Sequence, residues 1–155
     1  MKKHIRVIVN TKTYDILAKP NETLLDILRN HLHITSVKAA CWQGDCGICT
    51  VLLEGIPIKS CLVLAHEANN KNILTVEGLS REGVISNLQK SFITSGAVQC
   101  GFCTSAFLLM GHYLLSQGKP LDRKEVGHLL NGIICRCTGY KQIIDSIIAI
   151  NTITE

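Results

Sequence analysis

Residues 4–9, His-Ile-Arg-Val-Ile-Val, alternate polar and apolar positions with the period of a half-buried strand. Asn10-Thr11-Lys12 supplies a turn, and residues 13–18 read as a second strand, so the chain opens with a hairpin. Leu24, Leu25, Ile27, Leu28 and Leu32 then form an apolar stripe with helical spacing. Thr23 stands at its start as an N-cap, with Asp26 three residues on. Residues 50–53 and 56–58 predict another hairpin around Glu54-Gly55, and residues 73–76 a last strand. Two hairpins packed on one helix make an α+β arrangement of β-grasp type.

The period changes after residues 78–83, a Gly- and Ser-containing stretch that reads as a linker. Helical spacing continues over 84–94, 104–117, 122–130 and 140–150. Asp122 with Glu125 after Pro120 is a helix start, and Gly118 and Gly132 mark helix ends. Four short helices with short loops predict a four-helix bundle. The expected organisation is therefore a domain over 1–77, a linker over 78–83 and a helical domain over 84–155.

Composition narrows the function. Apolar residues are 46% and charged residues 18% of 155. That balance supports a packed core and argues against disorder. The net charge of +4 is scattered, and aromatics are only 5%, so no basic, stacking surface for nucleic acid is expected. Met1-Lys2-Lys3 resembles the charged start of a leader, but Arg6 falls where an uninterrupted apolar run would be needed. The longest apolar stretch, residues 106–115, carries His112 and falls short of the ~18 residues a membrane span needs. A soluble, cytoplasmic protein with no membrane insertion is expected.

Eight cysteines demand an account. Disulfides belong to oxidising compartments, whereas clustered thiols in a reducing one are metal ligands. Cys41, Cys46 and Cys49 stand as C-x4-C-x2-C, with Cys61 further on. This is the spacing of plant-type [2Fe–2S] ferredoxins. Two sulfide-bridged irons need four thiolates, and a loop that wraps them needs backbone N–H groups aimed at sulfur. Gly44 and Gly47 permit that close wrapping. Cys100, Cys103, Cys135 and Cys137 read C-x2-C…C-x-C. They should sit on two loops at helix ends, where the N-terminus of the 104–117 helix favours an anionic cluster. Zinc is the alternative, since C-x2-C occurs at 46/49 and 100/103, but a site built from those pairs leaves four cysteines unused. Two [2Fe–2S] clusters use all eight. His4, His31, His33, His66, His112 and His128 are then surface or packing residues, because only a Rieske centre would recruit histidines.

Four segments carry a family resemblance: CWQGDCGICTV at 41–51 preceded by Val37-Lys38, SCL at 60–62 with TVEGL at 75–79, GAVQCGFCT at 96–104, and CRCTGY at 135–140. Over residues 4–150 the chain resembles the small iron–sulfur subunit of the molybdenum hydroxylases, the xanthine dehydrogenase, aldehyde oxidase and carbon monoxide dehydrogenase family. The resemblance implies a ferredoxin-like domain followed by a helical bundle. It implies a large molybdopterin-binding subunit and a FAD-binding subunit as partners in a hetero-oligomer. Electrons would pass from molybdopterin through the 100/103/135/137 cluster and then the 41/46/49/61 cluster to FAD. By position, Gln99 and Cys137 would lie near the molybdopterin, and no residue of this chain would be catalytic.

Three departures from the family pattern stand out. Ala40 replaces the usual Gly, which would cost about 1 kcal/mol if the position needs positive φ. Ser105-Ala106 replaces Pro-Gly, where Ser is expected to cap the helix instead. Ile133 stands where the family often has Asn. Two other functions share these ligands: a free-standing two-cluster carrier, and a non-redox scaffold held together by metal. An exposed Ile143-Ile144-Ile147-Ile148 face would favour the subunit, although the same set could be pure core.

Overall fold

The computed structural model describes residues 1–80 and 82–151. Arg81, within the expected linker, and residues 152–155, at the end of the expected helical domain, lie outside the described residues.

The chain is α+β. Strands β1 (Lys3–Val9) and β2 (Lys12–Ala18) pair antiparallel, from Lys3↔Ala18 to Val9↔Lys12. Asn10 and Thr11 turn the chain with φ of 49° and 71°, the left-handed pair that matches hairpin twist. Strands β3 (Thr50–Leu53) and β4 (Ile56–Lys59) form the second hairpin. Strand β5 (Asn72–Leu74) lies between the hairpins, parallel to β1 and antiparallel to β3, giving the order β2-β1-β5-β3-β4. Alternation works as expected: Ile5, Val7 and Val9 are buried, while His4 and Arg6 are exposed.

The sheet covers a short helix. Helix α1 (Leu24–Asp26) is capped by Thr23, whose hydroxyl accepts the Asp26 N–H at 3.1 Å while the Asp26 carboxylate accepts the Thr23 N–H at 2.9 Å. The expected helix does not stay α. Residues Ile27–His31 form a π turn, with the Leu32 N–H on the Ile27 carbonyl at 3.0 Å. The Arg29 guanidinium holds the departing chain, donating to the carbonyls of Val37 at 2.6 Å and Thr35 at 3.2 Å.

Four α-helices follow among the described residues: α2 (Asn87–Thr94), α3 (Thr104–Ser116), α4 (Arg123–Leu130) and α5 (Lys141–Asn151). Helix α2 starts later than its apolar pattern suggests. Ser86 and Gln89 form a reciprocal capping box, and Val84 and Ile85 remain exposed before it. Asp122 caps α4 as expected, accepting from the Lys124 and Glu125 N–H groups. Strand β5 ends at Leu74 rather than residue 76. The Asn10 side-chain oxygen takes the Thr75 N–H at 2.9 Å and withdraws it from the ladder.

The buried side chains form two cores. One joins the inner face of β1, β2 and β5 to Leu24, Leu25, Ile27 and Leu28. The other is helical, around Phe92, Phe107, Leu109, Leu130 and Ile147. Cys46, Ile48 and Leu52 belong to the helical core, so the first cysteine loop is packed against the later half of the chain. Ile143 and Ile147 are core, with Ile144 and Ile148 partly buried against it, so this set does not offer an exposed face.

Candidate metal centres

The loop from Cys41 to Cys49 is irregular because its backbone must curl. Trp42 has φ of 59°, and Gly44 and Gly47 have φ of 87° and 65°. Ala40 is not among the residues with positive φ; that conformation falls on Trp42 instead, so the anticipated strain at Ala40 does not arise. The curl aims N–H groups at sulfur. The Cys46 N–H points to the Cys41 Sγ at 3.4 Å. Backbone N–H groups of Cys46, then Gln43 and Asp45, hold the Cys41 thiol down to about 6, so its thiolate is favoured. Cys61, delivered by the turn after β4, is pushed up to about 11 by burial and by the neighbouring Cys49, while the Gly44 N–H opposes the rise. Cys46 thus contacts Cys41, and Cys61 interacts with Cys49 and with Cys41, which brings the four into one neighbourhood. Cys46, Cys49 and Cys61 are buried and Cys41 is half-buried.

The second set gathers at the N-terminus of α3 and on the loop before α5. Cys103 is the N-cap residue of α3. Burial, and then the Cys135 thiol, push Cys103 up to about 12. Cys137 and Cys100 face each other with 3.6 Å between sulfurs, and that contact raises Cys137. Burial works against the Cys135 thiolate, yet the Thr138 hydroxyl at 3.1 Å and N–H at 3.4 Å bring its pKa below the usual value. Tyr140 braces this loop: its hydroxyl accepts the Cys135 N–H at 3.0 Å and donates to the Ile133 carbonyl at 3.1 Å. Its ring meets Phe107 edge-on, with centroids 5.9 Å apart. Cys100, Cys137 and Gln99 are exposed on this edge.

Like thiols packed this closely penalise one another's ionisation, and N–H groups aimed at them offset part of that cost. Such a donor set suits a cationic iron core. The chemistry fits a [2Fe–2S] cluster in each set: four sulfur donors, glycine-permitted curvature and converging amides. Among the described residues, no three His, Cys, Asp or Glu side chains form a group fit for a single metal ion.

The two sets are joined. The Ile134 N–H donates to the Cys46 carbonyl at 2.9 Å, linking the residue before Cys135 to a cysteine of the first set. Gly47 sits so close to the Gly132 carbonyl that a Cβ there would approach it to 1.9 Å. Ile133 is 1% exposed and packs in the helical core, so this position serves packing. Ser105 does not cap α3. Its hydroxyl donates to the Ser36 carbonyl at 2.8 Å, another tie between the halves.

Sequence reading did not single out Lys59, Tyr140 or Thr138 as site residues. Tyr140 and Thr138 stand inside the CRCTGY segment and carried a signal as residues with hydroxyls beside ligands. Lys59, whose ammonium reaches the Gly44 carbonyl at 2.6 Å, is a lone lysine two residues before Cys61 and carried none.

Known proteins bear on this geometry. Residues 7–75 match the family described as a 2Fe-2S iron-sulfur cluster binding domain. Residues 75–148 match the one described as a [2Fe-2S] binding domain. Together they define an electron-transfer iron–sulfur protein. The chain is 44% identical over 143 residues to the 6-hydroxypseudooxynicotine dehydrogenase complex subunit beta of Paenarthrobacter nicotinovorans, covering 92% of this chain and 89% of that one. It is 40% identical over 146 residues to the xanthine dehydrogenase iron-sulfur-binding subunit of Escherichia coli O157:H7, covering 93% and 91%. The crystal structure of quinoline 2-oxidoreductase from Pseudomonas putida 86 superposes with a TM-score of 0.93 at 40% identity, over 97% of this chain and 93% of that chain. The chain belongs to the small iron–sulfur subunits of the xanthine dehydrogenase family of molybdenum hydroxylases, and is a subunit of an oxidoreductase complex.

Proposed function

We propose that this chain relays electrons from a molybdopterin centre on a large partner subunit to FAD on a second partner, through two [2Fe–2S] clusters. Cys41, Cys46, Cys49 and Cys61 would hold one, in a β-grasp domain over 1–77. Cys100, Cys103, Cys135 and Cys137 would hold the other, in a four-helix bundle over 84–155 beyond the 78–83 linker. Each cluster, when bound, takes up and releases one electron.

The observation that carries the reading is the gathering of eight cysteines into two separate sets joined by the Ile134–Cys46 hydrogen bond. The chain's own work is positional. Converging N–H groups stabilise negative charge on each set, and the packed loops hold the two at a fixed separation. Gln99, Cys100 and Cys137 share an exposed edge, which supports a molybdopterin-bearing subunit docking there with Gln99 and Cys137 nearest the pterin. Val98, Phe102 and Ile134 are 40%, 43% and 49% exposed beside these residues, an apolar rim that suits a permanent partner better than a freely diffusing carrier. Among the described residues no helix is long and apolar enough to cross a membrane. A cytoplasmic location suits eight unpaired thiols.

The test is metal and sulfide analysis of anaerobically purified protein, together with the partners that co-purify. About four iron and four acid-labile sulfide per chain are expected. One or two zinc atoms without sulfide would overturn the proposal.

A further inference from the structure

The Lys59 ammonium donates to the Gly44 carbonyl at 2.6 Å. That carbonyl and the Asp45 N–H are the two ends of one peptide unit. Gly44 and Asp45 lie in the loop between Cys41 and Cys46, and the Cys46 N–H that ends this loop points to the Cys41 Sγ at 3.4 Å. A cation at the carbonyl end polarises a peptide and strengthens the hydrogen bond its N–H makes. Lys59 therefore fixes a cation on the backbone of the loop between Cys41 and Cys46.

The position is built. Lys59 is the last residue of β4, paired with Thr50 in the sheet, and Ser60 after it is fixed by two hydrogen bonds to the Cys49 carbonyl. Its side chain is half-buried, where charge is screened less than at the open surface. The ion pairs among the described residues are Arg6–Asp15, His31–Glu22 and Arg123–Asp145, so no described carboxylate neutralises Lys59. The one acid in the loop, Asp45, instead accepts the Gln43 amide at 2.7 Å.

We propose that Lys59 is a positioning residue that raises the reduction potential of the cluster held by Cys41, Cys46, Cys49 and Cys61, by holding its ammonium against the Gly44 carbonyl in the loop that would wrap the cluster. This rests on the function proposed above. Reduction adds one negative charge to that set, and a nearby fixed cation favours the added electron. Lys59 makes this cluster a better electron acceptor than it would be without the cation.

The test is an EPR-monitored redox titration of the assembled complex, with iron and sulfide counted for every sample. Lys59→Met removes both charge and donor, Lys59→Gln keeps a donor without charge, and Lys59→Arg keeps both. The Met and Gln variants should lower the midpoint of the first cluster alone. The expected shift is about tenfold in electron partition between the clusters, ~59 mV for a one-electron couple. The Arg variant should stay near wild type. An unchanged midpoint in a fully loaded Met or Gln variant overturns the proposal. So does iron loss in both, because Lys59 would then be a mechanical clamp. Wild-type protein lacking four iron and four sulfide would instead sink the two-cluster reading on which this inference rests.

Discussion

The Ile134 N–H donates to the Cys46 carbonyl at 2.9 Å, and this bond joins the backbones of the two cysteine sets. Covalent steps run from Cys46 to its carbonyl and from the Ile134 nitrogen to Cys135. One hydrogen bond completes the path. An electron passing between the sets has a continuous bonded route there rather than a gap through space.

Removing the donor should therefore slow transfer between the sets. Ile134→Pro deletes the N–H, whereas Ile134→Ala keeps it and trims an exposed side chain. In freeze-quenched samples after one addition of reducing substrate, the Pro variant should accumulate the reduced helical-domain cluster while the first cluster lags. The Ala variant should match wild type. Equal rates in all three would mean the bond is structural only.

Gly47 permits the approach that makes this bond. It combines φ of 65° with a carbonyl 1.9 Å from where a Cβ would stand. The obstacle is the Gly132 backbone, which cannot rotate away like a side chain. Gly47→Ala should cost about 2–4 kcal/mol through strain at a special φ plus displacement of the 132–134 segment. Denaturant unfolding of the loaded protein checks this. The companion Gly55→Ala, at a hairpin tip with open space around it, should cost only about 1 kcal/mol, from its φ of 77°.

Tyr140 offers a test confined to the second set. Tyr140→Phe keeps the edge contact with Phe107 but leaves the Cys135 N–H and the Ile133 carbonyl without their shared partner. The expected cost is about 1–3 kcal/mol. On incubation with an iron chelator, the EPR signal of the helical-domain cluster should disappear first, with the other signal intact. Parallel loss of both signals at the wild-type rate would remove Tyr140 from the site.

Much of this was legible along the chain because local pattern and tertiary demand agree. Ile5, Val7 and Val9 alternate because one sheet face is buried, and Thr23 with Asp26 announces its helix in four residues. The misses came from partners far away in sequence. The Thr75 N–H is taken by Asn10, 65 residues distant, so β5 stops early. Ser105 finds the Ser36 carbonyl, 69 residues away, so its hydroxyl is not spent on a cap. Local misses had local rivals: the Ser86–Gln89 box outweighs the apolar pattern of Val84 and Ile85. The cysteine spacing divided the candidate ligands into two sets, but it carried nothing about Lys59 or Ile134, whose proposed roles rest on reach and on backbone rather than on residue type.

The order of electron flow gives the most direct test of the whole assignment. Gln99 and Cys137 share the exposed edge proposed to face the molybdopterin, so the Cys100 set should be reduced first. Cys49 is buried, at the junction of the cysteine loop and β3, and its loss should disable only the second step. In the assembled complex, Cys49→Ser should allow anaerobic substrate to reduce molybdenum and the helical-domain cluster, while flavin reduction and turnover collapse. Cys103, at the start of α3, serves the other set. Cys103→Ser should stop transfer at molybdenum and leave the first cluster oxidised. Rapid-freeze EPR on both variants, with iron counted to confirm that the untouched cluster is present, separates the cases. If Cys49→Ser blocks reduction of the helical-domain cluster and Cys103→Ser does not, electrons enter at the Cys41 set, and the docking edge must be sought there.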